Sequence, residues 1–254
     1  MFWLRAFFQK IYFVYALIVF LSVMLLIFPF VIIASLFGRV RGGNMIYRLC
    51  NLWGDIVFPL IFIFTKRIFE GPHDAGRSYI FVSNHTSYLD AGVLVKAFRQ
   101  PLRILGKEEM AKIPVFGFIY SKAVVTVNRQ SAQQRANSLR IITSLARKNI
   151  SILFFPEGTF NMTGEPLAHF FNGAFRVAIE TQTPVKPVLF LDTYDRMPGG
   201  KFTSVRPGRC RMVFLEEIPV TGLTIADVES FKQKVHALMA SKLLSYKVSW
   251  VKKQ

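Results

Sequence analysis

Apolar and polar positions are distributed along this chain in two regimes. Residues 11–38 carry no charged side chain at all, a run longer than the roughly 20 residues that cross a bilayer. The run is too long for the apolar region of a secretory signal and lacks a convincing small-residue cleavage site after it. Pro29 is expected to kink the helix it predicts. A second apolar stretch, 56–65, is too short to span and is made less regular by Asp55 and Pro59. The pair predicts either one spanning helix with an interfacial helix or a hairpin buried in one leaflet.

After about residue 70 the pattern changes to short apolar runs separated by helical periodicities. Strands are expected at 79–82, 102–105, 123–127, 150–155, 185–191 and 210–215, by their length and β-branched or aromatic content. A short helical linker is expected at 112–120, a helix at 132–148 with Leu139, Ile142 and Leu145 on one face, another at 173–181, and a closing amphipathic helix at 225–244. Strands alternating with helices predict an α/β fold with a largely parallel central sheet and flanking helices, preceded by an N-terminal membrane-embedded helical segment. The expected division is residues 1–70 as anchor and 71–254 as one domain, with Gly199 and Gly200 marking a loop.

Composition sharpens this picture. With 254 residues and 52% hydrophobic content the chain can hold one domain plus a membrane segment, and its formal net charge of +17 calls for a partner of opposite sign. An anionic bilayer surface fits both the charge and the apolar anchor. Nucleic acid fits poorly, because the aromatics sit in apolar runs and no nucleic-acid-binding signature is present. Arg5 and Lys10 precede the long apolar run, whereas Arg39, Arg41, Arg48, Lys66 and Arg67 follow it, which predicts that the domain lies on the cytoplasmic side. Cys50 and Cys210 have no disulfide or metal-ligand spacing, and no cofactor motif occurs.

Candidate chemistry lies in two blocks, NHTSYLD at 84–90 and FFPEGTF at 154–160. His85 and Asp90 would face about 140° apart on one continuous helix, so they can meet only across a strand, a turn and a new helix, with Ser87 as the expected N-cap. A carboxylate on one imidazole nitrogen fixes the tautomer and leaves the other free to take a proton from an alcohol. His73, His169 and His236 lack such a partner and are expected to be structural or solvent-facing. Pro156 and Gly158 suit a turn. Both blocks follow strand-like runs, so both turns can share one sheet edge, where α/β folds place ligands.

These blocks, with KAVVTVNR ending at Arg129, TPVKPV at 183–188 and GKEEMAKIPVFGF at 106–118, occur in the order found in the lysophosphatidic acid acyltransferase family, which the region 71–188 resembles. The resemblance implies that His85 is the general base and Asp90 its orienting partner. It implies that Arg129 binds the acceptor's phosphate, Lys107 lies near the acceptor head group, and the Glu157, Gly158, Thr159 turn helps to hold the glycerol. The amides of Glu157 and Gly158 are candidate oxyanion donors. It further implies no cofactor, with acyl-coenzyme A or acyl-acyl carrier protein as donor and the acidic carrier as a possible second partner besides membrane lipids. Two departures stand out: Phe160 replaces the arginine that usually ends FPEGTR, and Phe171 and Asn172 replace the lysine before Gly173. The expected function is therefore acyl transfer from a thioester to 1-acylglycerol-3-phosphate, giving phosphatidic acid. The same chemistry on a lyso-aminolipid, and a catalytically silent lipid-binding or scaffold protein, are the alternatives.

Overall fold

The computed structural model describes residues 2–100, 102–127 and 131–252. Helix α1, Phe2–Ser35, runs through Pro29, and its window from Ala6 to Ser35 is long and apolar enough to cross a membrane. A π-helical segment, Gly38–Gly42, leads into α2, Gly43–Leu60. Close return is possible because a Cβ on Gly42 would lie only 2.4 Å from the Ala34 carbonyl oxygen. The two helices run antiparallel: Trp53 Nε1 donates to Phe20 O (3.4 Å), Tyr15 Oη to Leu60 O (2.8 Å) and Tyr12 Oη to Ile61 O.

Helix α2 belongs to the body of the fold. It buries Ile46, Tyr47, Val57 and Phe58, Asn51 donates to the carbonyls of Val95 (2.6 Å) and Phe98 (3.1 Å), and Tyr47 Oη donates to Phe98 O (3.1 Å). The apolar stretch 56–65 is not one helix, whether interfacial or one arm of a hairpin, as sequence leads one to expect. The helix stops at Leu60, Phe62 takes φ of +54°, and the chain enters strand β1, Ile63–Phe69. The sheet therefore begins before residue 71.

The remaining elements follow as β2 (Ile80–Ser83), α3 (Asp90–Ala97), β3 (Leu102–Lys107), α4 (Phe116–Ala123), β4 (Val124–Val127), α5 (Ala132–Ala146) and β5 (Ser151–Phe154). After a long loop come α6 (Gly173–Thr181), β6 (Val185–Phe190), the short α7 (Thr193–Arg196), β7 (Gly208–Phe214) and α8 (Val228–Ser245). The seven strands lie in the order β1-β7-β6-β2-β5-β3-β4, and every pairing is parallel except β6 with β7. The C-terminal ends of β2, β3, β4, β5 and β6 consequently open at one edge. Successive side chains of a strand point to opposite faces. In β2, Phe81 enters the core that contains residues of α1, α2 and α3, while Ile80 and Val82 enter the core beneath α5, α6 and α8.

Candidate active site

Where β2 ends, Asn84 continues the ladder with its side chain: Nδ2 donates to Phe190 O (2.9 Å) and Oδ1 accepts from Phe190 N (2.8 Å). This carries the chain past the sheet edge and presents His85 there. The imidazole Nδ1 lies 2.7 Å from Asp90 Oδ2, and that same oxygen accepts the amides of Thr86 and Ser87, each at 2.9 Å. The turn is thus wound around one carboxylate oxygen, a local side-chain bond that competes with helix formation. It explains why α3 starts at Asp90 and why Ser87 is not its N-cap. Ser87 Oγ instead accepts from Leu89 N (2.9 Å) and donates to Met197 O. Asp90 is fully buried, and its Oδ1 finds no hydrogen-bond partner among the described residues. With Nδ1–H committed to Asp90, Nε2 is the nitrogen left to accept a proton.

The second turn holds the first. Glu157 is 3% exposed; its Oε1 accepts His85 N–H (2.7 Å) and its Oε2 accepts Ala168 N–H (2.8 Å). On the other side of His85, its carbonyl accepts Asn161 N–H at 2.7 Å. Burial pushes the Glu157 carboxyl up to about 7, while the two amide donors pull the other way. Both Glu157 oxygens accept backbone amides, so this residue staples the turn of His85, whereas the family resemblance assigns it to the acceptor. The Gly158 amide donates to Phe155 O (3.0 Å), closing the turn, and is not a spare oxyanion donor. Gly158 itself has φ of +69°, and a Cβ there would meet the Phe171 ring at 2.9 Å. Thr159 is exposed beyond it.

The His85 ring stacks on Phe155, with centroids 4.2 Å apart, and meets Phe160 edge to face at 4.5 Å. Phe160, which stands where the family pattern has arginine, therefore borders the His85 imidazole. Lys107 is exposed at the end of β3, on the same sheet edge and two strands from β2, which is about 10 Å across the sheet. Its register partner is Val127. Arg129 lies outside the described residues.

Sequence reading missed the roles of Asn84 and of the loop after α7. That loop docks on the turn of His85 through Gly199 N–H to Thr86 O (3.0 Å) and an antiparallel bridge between Ser87 and Pro198. The amide-bearing residue at a strand's end was the available signal for Asn84; nothing local announced the loop contact. His73 packs among Phe69, Tyr79 and Phe214, its pKa lowered by burial and by Lys186, and His236 Nε2 lies 3.2 Å from Ala168 O. Among the described residues no cluster of three or more His, Cys, Asp or Glu could hold a metal.

Residues 61–191 match the family model described as acyltransferase. The chain is 31% identical to the chloroplastic 1-acyl-sn-glycerol-3-phosphate acyltransferase BAT2 of Brassica napus over 75% of its own length and 54% of that protein's. It is 28% identical to the human 1-acyl-sn-glycerol-3-phosphate acyltransferase beta, over 84% of this chain and 77% of that one. It thus spans about half the length of the Brassica relative. The crystal structure of a 1-acyl-sn-glycerophosphate acyltransferase from Thermotoga maritima has the same fold, with a TM-score of 0.75 and 24% identity, covering 99% of this chain and 100% of that one.

Proposed function

The chain belongs to the acyltransferase family, and from that premise we propose that it is a membrane-bound O-acyltransferase that converts 1-acylglycerol-3-phosphate to phosphatidic acid. The observation that carries this reading is the 2.7 Å pair of His85 Nδ1 and the buried Asp90 carboxylate, with no nucleophile of the protein's own required. His85 Nε2 takes the proton of the acceptor hydroxyl as its oxygen attacks the thioester carbonyl carbon. Collapse of the tetrahedral intermediate breaks the carbon–sulfur bond, and the imidazolium returns the proton to the departing thiolate. Asp90 stabilises the imidazolium in between. The ester forms, the thiol is released, and no cofactor enters the balance.

Lys107 and Arg129 are the cations assigned to the acceptor phosphate, a guanidinium suiting bidentate contact. The donor is an acyl thioester of coenzyme A or of acyl carrier protein, the net charge of +17 favouring acidic carriers as well as an anionic bilayer. The basic residues that follow α1 support placement of the catalytic domain on the cytoplasmic side. A lyso-aminolipid acceptor is the second reading, favoured by Phe160 at 4.5 Å from His85 where a phosphate-binding arginine is usual. Thiol release by the purified protein in anionic vesicles, measured against lysophosphatidate and a lyso-aminolipid in turn, tests both. Release with lysophosphatidate is expected; release only with the aminolipid transfers the assignment to it, and none with any lyso-lipid leaves the scaffold reading.

A further inference from the structure

From the imidazole of His85 a line of rings leads outward to α1. Phe160 meets His85 at 4.5 Å, Tyr88 meets Phe160 at 4.7 Å, Phe202 meets Tyr88 at 5.7 Å, and Phe13 of α1 meets Phe202 at 5.7 Å, every contact edge to face. Tyr88 is 44% and Phe202 52% exposed, so the line runs along the surface. Exposed contiguous aromatics on a folded protein mark a place where something apolar binds. We infer that Phe160, Tyr88, Phe202 and Phe13 form the binding track for the acyl chain of the lyso-lipid acceptor, leading it from the bilayer to the base.

Three observations support this occupant. The far end of the track lies on the helix that is long and apolar enough to cross a membrane, next to Tyr12 and Tyr15, whose hydroxyls are tied to the carbonyls of Ile61 and Leu60. Tyrosines of this kind belong at the membrane–water interface. The near end touches the imidazole that the acceptor hydroxyl must reach. Between them the track is fixed in height relative to the base: Gly199 N–H donates to Thr86 O, and Gly199 comes so close that a Cβ there would lie 3.0 Å from that oxygen and 3.2 Å from Phe160. The acceptor is an amphiphile resident in the bilayer, whereas the donor's carrier is water-soluble, so the track that begins at α1 serves the acceptor. Phe160 then has a positive role: an arginine would interrupt the line of rings.

The inference rests on the acyltransferase reading, and its test separates the two. Full-length protein and its Tyr88→Ser, Phe202→Ser and Phe202→Leu variants are assayed in mixed micelles with long-chain and short-chain lysophosphatidate. The ratio of long-chain to short-chain kcat/KM should fall about ten-fold in each serine variant, recover with leucine, and leave the donor's KM in place. Equal losses on both acceptors, or an unchanged ratio, would overturn the track. A lysophosphatidate carrying a photoreactive group along its chain provides a readout that needs no variant. Labelling of Phe13, Tyr88 or Phe202 in the wild-type protein is expected, and labelling confined to other residues would also overturn it. Failure of wild type to release thiol with any lyso-lipid would instead remove the acyltransferase reading itself.

Discussion

Around Asp90 three donors converge on one fully buried carboxylate oxygen, while along α1 Leu4, Leu25 and Leu26 stand more than half exposed. The turn of His85 is held by short polar bonds; the outward face of α1 is covered by nothing among the described residues. Between these regions lies α2, whose polar Asn51 and Tyr47 grip the α3 end while its other side receives α1. The difference teaches that the two regions are built from different forces. Fixing an imidazole requires directed hydrogen bonds, whereas a face that can enter a bilayer requires apolar surface left uncovered.

Four measurements would break or sharpen that comparison. The largest effect is expected from His85→Ala, which should lower turnover about 10²- to 10⁴-fold with membrane attachment intact. Near-normal turnover by the folded variant would end the general-base assignment. Next, placing charge on the outward face with Leu21→Lys and Leu26→Lys, both exposed and well inside the apolar span, should cost about 2.5 to 3.5 kcal/mol each near the centre of a span. Vesicle flotation should fall sharply while the melting of the α/β body stays put; flotation equal to wild type would show that this face does not enter the bilayer.

A smaller effect is expected from Glu157→Gln, which sets an NH₂ against one of two backbone amides and should cost about 1 to 3 kcal/mol. The Glu157 carboxyl titrates from an ordinary value of 4.5 up to about 7 in the fold, so the folded state holds more protons than the unfolded between those values. Its contribution to stability is therefore fully present below about 4.5 and is lost as pH rises through about 7. The melting-temperature advantage of wild type over Glu157→Gln should shrink across that window. An advantage that grows would mean that the amide bonds outweigh burial. The smallest effect belongs to Phe160→Arg. It is expected to change the preference between lysophosphatidate and a lyso-aminolipid by roughly ten-fold, the scale of one charge-assisted bond, and a preference identical to wild type would separate Phe160 from acceptor choice.

Much of this arrangement was legible before any coordinates. The run 79–82 and the observed β2, 150–155 and β5, and 173–181 and α6 agree to within a residue or so, because each is a strong apolar pattern with clear punctuation. His85 and Asp90 were paired correctly, since one continuous helix could not join them. What failed were features decided by competition or distance. Ser87 looks like an N-cap, but its own amide and that of Thr86 are drawn to Asp90, and α3 begins only at Asp90, with Leu89 at the cap position. The stretch 56–65 reads as one apolar segment until Phe62 bends it from helix to strand. Glu157 reads as part of a turn that holds the acceptor glycerol, and only the approach of His85 N–H and Ala168 N–H reveals it as a staple.

The staple also sets an order of events during synthesis. Residue 85 is bound through residue 157, 72 positions later, and residue 87 through residue 197, 110 positions later. A chain made from its N-terminus folds and engages its surroundings in that direction. Helix α1 can be complete, and lodged where its apolar face belongs, while the segments that hold the histidine have not yet been translated. Placement of the helix thus comes before fixation of the histidine: the turn that carries His85 is not stapled until well over half of the polypeptide exists, by which time α1 has long been made.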